Sequence, residues 1–178
     1  VIISSPKTVQ ETIELVERLG HVVGAEDSAR NMTTKMKQDI EDVKALSVET
    51  RGQVVISMSS MEGFAGTGSL FDDMTRVMGL VNGPSHLRYA PRTAFTEERI
   101  IEMDPNVILI PVYDKSEMAW QTLYRDNPGL QTVRAVRDGR VVTMPAADLY
   151  TGNQFIGESM KDILRIVRES EKGEGTHE

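Results

Sequence analysis

Residues 25–47, AEDSARNMTTKMKQDIEDVKALS, decide how the rest of the chain is interpreted. Apolar residues recur every three or four positions, which predicts one unbroken amphipathic helix about 34 Å long. The polar residues between them, Asp39 among them, are predicted to face water. This spacing fits two arrangements, a helix lying on one domain or a rigid connection between two lobes. The predicted apolar stripe consists of Ala29, Met32, Met36, Ile40, Val43 and Leu46.

Composition narrows the class of protein. The 178 residues are 39% apolar and 26% charged, as in a globular protein with one sizeable core. A net charge of −7 disfavours a nucleic-acid partner, which requires a basic face. Because the chain has no cysteine, disulfides, thiolate zinc sites and a cysteine nucleophile are excluded. The chain opens on Val1-Ile2-Ile3 as if within a strand, so we expect an amino-terminal portion upstream of Val1.

Helices and strands alternate after residue 52, which predicts an α/β fold: a three-layer domain with a mostly parallel sheet flanked by helices, preceded by the long helix. Ligands of such sheets bind at loops beyond the carboxyl ends of the strands, here 59–67, 112–115 and 146–153. The predicted elements are helices over 5–20, 68–79, 96–104, 115–125 and 153–169, strands over 54–58, 107–110 and 141–144, turns at 82–84 and 135–139, and an irregular stretch over 85–95.

The residue patterns typical of catalysis are missing from the sequence. Residues 66–71, GTGSLF, begin like a dinucleotide-binding fingerprint, but Phe71 stands where glycine or alanine is needed. The three histidines have no metal-ligand spacing. Asp72 and Asp73 are adjacent on a helix, so they face different ways and are predicted to be solvated. We therefore predict no enzyme activity, no metal site and no cofactor.

Four motifs, taken in order, resemble one known family. They are Leu19-Gly20 with Gly24 before the long helix, GTGSLFDD at 66–73 followed by Gly79 and Asn82, TEE at 96–98 leading to MDPNVIL at 103–109, and VRDGRVV at 136–142 with Met144-Pro145. The family is the substrate-binding proteins of ABC importers for iron–siderophore, haem and cobalamin. Asn106 departs from the aspartate that the family usually has at that position.

The resemblance implies two α/β lobes joined by one rigid helix, with ligand in the cleft between them. Residues 1–24 would then be a remnant of the amino-terminal lobe, 25–47 the interlobe backbone helix, 48–172 the carboxy-terminal lobe and 173–178 a disordered tail. The chain would carry about half of the cleft, so alone it should bind ligand weakly and self-associate. The parent protein would be periplasmic or otherwise extracytoplasmic, with a lipid anchor as one option and its signal sequence upstream of Val1.

The function implied by the resemblance is binding of an iron–siderophore or related metal chelate, including haem or cobalamin, and its delivery to ABC permease subunits. Two alternatives remain open from the sequence. One is a chelatase-like enzyme and the other a sensory binding module, because similar two-lobed α/β scaffolds serve several functions.

Candidate site residues follow from the same resemblance. We predict a ligand-binding wall formed by Arg92, Arg88, Tyr89, Tyr113 and Tyr150, in that order of preference. The arginines suit an anionic ferric chelate, although pairing with surface acids would also explain them. Glu98 is predicted to dock onto permease arginines, and its neighbour Glu97 could share or replace that role. Acids in a first helical turn are also favoured by the helix dipole alone.

Overall fold

The computed structural model describes residues 5–58, 65–91, 93–112, 124–150 and 152–169. Two long helices come first, α1 (Val9–Val23) and α2 (Glu26–Leu46). After them come β1 (Val54–Ser57), α3 (Leu70–Val77), β2 (Val81–Asn82), α4 (Gly83–His86), α5 (Glu97–Met103), β3 (Val107–Val112), a 3-10 turn (Pro128–Leu130), α6 (Arg134–Arg137), β4 (Val141–Pro145), α7 (Ala146–Tyr150) and α8 (Ile156–Glu169).

The four strands form one parallel sheet in the order β2-β1-β3-β4. One core joins a face of the sheet to α1, α2, α3, α7 and α8, and a second core joins the other face to α5 and α6. Strand β3 serves both cores, because Leu109 lies in the first and Ile108 in the second. The predicted α/β class with a parallel sheet between helical layers is therefore confirmed. No helix among the described residues is long and apolar enough to cross a bilayer.

Helices α1 and α2 form a tight antiparallel hairpin. Gly24 makes the turn at φ 69°, and its N–H donates to the carbonyls of Gly20 and His21. The prediction that α1 covers residues 5–20 was wrong at both ends. Thr8 is the N-cap, since its side chain accepts from the Glu11 N–H. Gly20 lies inside the helix, where any Cβ would overlap that of Ala29 on α2.

Helix α2 matches its predicted span to within one residue at each end, but its buried face differs from the predicted stripe. Met32 and Leu46 are exposed, whereas Thr33 and Asp39 are buried. The face is wider than a single stripe because α2 packs against α1 and also against α3 and α8. Asp39, predicted to face water, lies instead in the contact between α2 and α8.

Several short elements differ from the predictions. The predicted turn at 82–84 is the end of β2 and the start of α4, and the predicted turn at 135–139 overlaps α6. Part of the predicted loop over 146–153 is α7, so α8 begins at Ile156 rather than at residue 153. Strand β3 continues through Pro111. The last β3 residue paired with β1 is Leu109, opposite Ser57, so the missing N–H of Pro111 breaks no hydrogen bond to β1.

Other predictions fall outside the described residues. They are the strand at Val1–Ile3, most of the helix over 115–125, and the tail over 173–178.

Candidate functional site

The carboxyl ends of the parallel strands form one edge of the sheet, and three described segments lie along it. Residues 65–69 precede α3 in the connection that follows β1. Helix α4 and residues 87–91 follow β2, and α7 follows β4. In parallel sheets this edge is where ligands bind, so these segments define the candidate site.

Asp72 holds two of these segments together. Its carboxylate accepts from the Gly68 N–H at 2.7 Å, the Asn82 side-chain amide at 3.0 Å and the Ser85 hydroxyl. The loop after β1 is thereby fixed to the end of β2 and to α4. The prediction that Asp72 is solvated was therefore wrong, because three neutral donors surround its carboxylate.

Asp73 points elsewhere, as adjacent helical positions must. It is 7% exposed, accepts from the Val9 N–H at 2.8 Å and pairs with Arg76. Its carboxylate thus joins the first residue of α1 to α3, and the prediction of a solvated Asp73 was also wrong.

The loop at 65–69 also contacts the segment that follows α4. The Thr67 hydroxyl donates to the Tyr89 carbonyl at 2.7 Å. Gly66 approaches the Pro91 carbonyl so closely that any Cβ would overlap it, and Gly68 adopts φ 73°. The two glycines of the GTGS motif therefore serve a close backbone approach and a left-handed turn.

Arg88 and Tyr89 lie together in this segment. Arg88 is exposed and adopts φ 57°, a left-handed conformation that is uncommon for a residue other than glycine. Tyr89 is half-buried, and its hydroxyl donates to the Glu102 carboxylate on α5. Burial, followed by this hydrogen bond, raises the pKa of Tyr89 to about 12. Tyr89 is consequently a neutral phenol at physiological pH, with its proton directed toward Glu102.

Tyr150 lies on the other side of the edge. It ends α7, and its hydroxyl is 2.6 Å from the Ser57 hydroxyl at the end of β1. This hydrogen bond links the end of α7 to the end of β1. The remaining predicted wall residues, Arg92 and Tyr113, lie outside the described residues.

The two predicted docking acids, both exposed, have different surroundings at the start of α5. The backbone N–H of Glu98 and then the Thr96 hydroxyl hold the pKa of the Glu98 carboxyl below its usual value. Glu97 accepts from the Asn127 side-chain amide at 2.7 Å, and its carboxylate also lies close to Gly129. Glu97 is therefore engaged with the 3-10 turn, whereas Glu98 contacts its own helix terminus.

Sequence reasoning did not identify Asp72, Thr67 or Glu102 as residues that shape the site. The signal for Asp72 was its position four residues after Gly68, in the first turn of a helix whose cap is Ser69. Among the described residues, no group of three or more histidine, aspartate or glutamate side chains is placed to hold a metal ion.

A separate groove of about 510 Å³ opens between α1, α2 and α3. Val9, Ile13, Ile40, Val77, Asp73 and Arg76 are among the residues that line it. The residues that line it do not include Arg88, Tyr89 or Tyr150, the three predicted wall residues that the structure describes, so the groove is separate from that part of the sheet edge.

Comparison with known proteins identifies the family. A family model described as periplasmic binding protein matches residues 1–147. A search of curated proteins finds no match. Among solved structures, a possible iron-binding periplasmic solute-binding protein from Staphylococcus epidermidis superposes with a TM-score of 0.79 at 18% identity, covering 94% of this chain and 65% of that one.

Two other solved structures are similar. The periplasmic heme-binding protein RhuT from Roseiflexus sp. RS-1 gives a TM-score of 0.80 at 15% identity, covering 92% of this chain and 64% of that one. An ABC-type Fe3+-hydroxamate transport system protein from Saccharomonospora viridis gives 0.75 at 17% identity, with 92% and 57% covered. The chain thus spans less than two thirds of the length of each of these structures. The family predicted from the four motifs is confirmed, and the chain belongs to the periplasmic binding protein family, which implies an extracytoplasmic location.

Proposed function

We propose that the full-length protein is the solute-binding component of an ABC importer, that it binds a ferric siderophore or a related chelate such as haem or cobalamin, and that it delivers this ligand to the permease. The observation that carries the proposal is the family match over residues 1–147, together with neighbours named for iron, haem and Fe3+-hydroxamate. The protein acts by binding rather than by catalysis, as the family does.

The proposed organisation has the amino-terminal remnant at 1–24, the interlobe helix at 25–47, the carboxy-terminal lobe at 48–172 and the tail at 173–178. Exposed apolar side chains near the α1–α2 turn support it, because a second lobe would cover them. Without that cover they favour self-association of the isolated chain. We also propose that the full-length protein is exported from the cytoplasm, with a lipid anchor to the membrane as one option. The exposed residues are Leu19, Val22, Val23 and Met32.

The proposed ligand wall consists of Arg92 and Arg88, together with Tyr113 and Tyr150. Arg88 supports this assignment because it is exposed in the segment that the Asp72 and Thr67 contacts hold at the sheet edge. Guanidinium groups make charge-assisted and bidentate hydrogen bonds to carboxylate and catecholate oxygens. The preferred ligand class is therefore an anionic ferric chelate.

A ligand panel on the full-length protein tests the proposal. Isothermal titration would compare a ferric tris-catecholate, ferric citrate, a ferric trihydroxamate, haemin and cyanocobalamin. We expect Arg92→Ala and Arg88→Ala each to weaken binding of an anionic chelate about 10- to 100-fold, which corresponds to the loss of charge-assisted hydrogen bonds. Arg137→Ala is the matched control, since Arg137 is exposed and pairs with Asp138. Unchanged affinity in both wall variants would refute the wall, and absence of binding to every member would refute the ligand class.

Glu98 is the proposed docking carboxylate for an arginine of the permease, with Glu97 as its neighbour. Its exposed position in the first turn of α5 supports this role. Glu97 has a competing partner in Asn127, so Glu98 is the principal docking residue.

A further inference from the structure

Tyr89 is bound to three parts of the structure around the sheet edge. Its N–H donates to the Pro84 carbonyl in α4 at 2.9 Å. Its carbonyl accepts from the Thr67 hydroxyl of the loop before α3, and its hydroxyl donates to Glu102 of α5. One residue therefore connects two loops of the candidate site to the helix that begins with the proposed docking acids.

Arg99 of helix α5 makes further contacts with the segment that follows α4, at Tyr89 and at Ala94. The guanidinium carbon of Arg99 lies 5.7 Å from the centroid of the Tyr89 ring, within the range of a cation–π contact. Arg99 also donates to the Ala94 carbonyl at 2.8 Å. Arg99 and Glu102 are three positions apart, so they are neighbours on the surface of α5 and contact the segment together.

We propose that Tyr89 is a positioning residue that couples α5 to the segment beginning at Arg88, so that the ligand wall and the docking helix move as one body. The proposal rests on the proposed function and deepens it. Tyr89 was predicted to be a ligand contact; here it acts through its neighbours instead. Any coupling of this kind is reciprocal, so ligand at the wall would change the helix that docks, and docking would change the wall.

The chemistry of the phenol agrees with a positioning role. A tyrosine that coordinates iron(III) does so as a phenolate and must lose its proton. Burial and the Glu102 carboxylate both raise the pKa of Tyr89 and retain that proton. Coordination would also break the hydrogen bond to Glu102, which leaves that carboxylate without its phenol donor.

Hydrogen exchange on the unliganded full-length protein tests the attachment. Tyr89→Phe keeps the ring near Arg99 but removes the hydroxyl, so amides over 88–94 should exchange about three- to tenfold faster. Glu102→Ala should act in the same direction, whereas Glu102→Gln keeps an acceptor and should restore most of the protection. Tyr124→Phe is the control, because Tyr124 is half-buried and packs against the second core, as Tyr89 does. Wild-type exchange over 88–94 in Tyr89→Phe would overturn the proposal.

The coupling itself is tested with haemin and a ferric trihydroxamate as probes. In the wild-type protein, a bound probe should protect both 88–94 and the amides of α5. In Tyr89→Phe, protection over 88–94 should persist while that of α5 falls at least threefold. Equal protection of α5 in both proteins would refute the coupling. If neither probe binds the wild-type protein, these ligands are wrong for the proposed function, and the unliganded measurement still decides whether Tyr89 holds the segment.

Discussion

Replacing Asp39 with asparagine tests how firmly the long helix α2 is fastened to α8. The Asp39 carboxylate accepts from Lys161 at 2.7 Å and from Lys35 at 2.9 Å, and the residue is 8% exposed. The helices approach so closely here that any Cβ at Gly157 would overlap that of Asp39. Asparagine preserves the shape that fits this contact and removes the charge.

The expected loss follows from those two charge-assisted hydrogen bonds. Each is worth about 1.5–3 kcal/mol when well shielded, but the side chains of Lys35 and Lys161 are 61% and 30% exposed. Both lysines also keep a second carboxylate, Glu158 and Asp42 respectively. We therefore expect Asp39→Asn to lower the free energy of unfolding by about 1–2 kcal/mol, with Tm falling by about 2–4 °C per kcal/mol.

Urea unfolding of the full-length protein, followed by circular dichroism, measures this loss without screening the charges as guanidinium would. Asp42→Asn is the matched control, because Asp42 contacts the same Lys161 from a more exposed position and should lose less stability. An equal shift in urea midpoint for the two variants at pH 7 would refute the reasoning, since burial of Asp39 would then add nothing.

The pH dependence supplies a second check on Asp39. Burial raises its pKa, but hydrogen bonds from Lys161 and Lys35 outweigh that effect and hold the pKa of Asp39 below its usual value. A carboxyl whose pKa is lowered on folding contributes fully above its unfolded pKa of about 3.9 and loses that contribution as pH falls through the folded pKa. The difference between wild type and Asp39→Asn should stay constant from about pH 5 to 8 and shrink below about pH 4.

Two further predictions concern the sheet edge and the docking helix. Asp72→Ala should destabilise the protein by about 2–3 kcal/mol and speed proteolysis of the loop at 65–69, because three donors lose their acceptor. Asp138→Ala is the exposed control, and wild-type cleavage of the loop would contradict the role of Asp72. Glu98→Arg should abolish uptake while leaving ligand affinity and Tm nearly unchanged. If Glu98→Gln instead lowers Tm and uptake survives Glu98→Arg, Glu98 only stabilises its helix.

Local patterns were sufficient to predict the long elements. Apolar periodicity located α2, a continuous apolar run located β3, and the Thr96 hydroxyl followed by two acids located the start of α5. Strand β2 and helices α4 and α7 have two to five residues, too few to show a period. Their positions depend on tertiary contacts, such as the pairing of β2 with β1, and no local pattern encodes those contacts.

The polar residues were predicted least well, because their partners are distant in sequence. Asp39 was predicted to face water from its position on the helix. Its partner Lys161 lies 122 residues further along the chain, so the sequence around Asp39 gives no sign of that contact. The motif around Asp72 was recognised, but its contacts to Asn82 and Ser85 appear only when β2 and α4 are in place. Tyr89 was predicted as a contact of the ligand wall, and its hydroxyl donates to Glu102 on α5.

These contacts have a mechanical consequence for the helical hairpin. Asp39 fastens the middle of α2 to α8, while the start of α1 is held by Asp73 through the Val9 N–H. Gly152 adds a second anchor there, since a Cβ at that position would lie 2.5 Å from Cγ of Pro6. Both helices are thus fixed to the sheet domain, and four of their exposed apolar side chains, Leu19, Val22, Val23 and Met32, lie toward the α1–α2 turn. A second lobe covering that end would move with the hairpin, so a change in cleft width would require α2 to bend between its anchored middle and the Gly24 turn. Movements between the proposed lobes are therefore expected to be small, because an α-helix without proline or internal glycine resists bending.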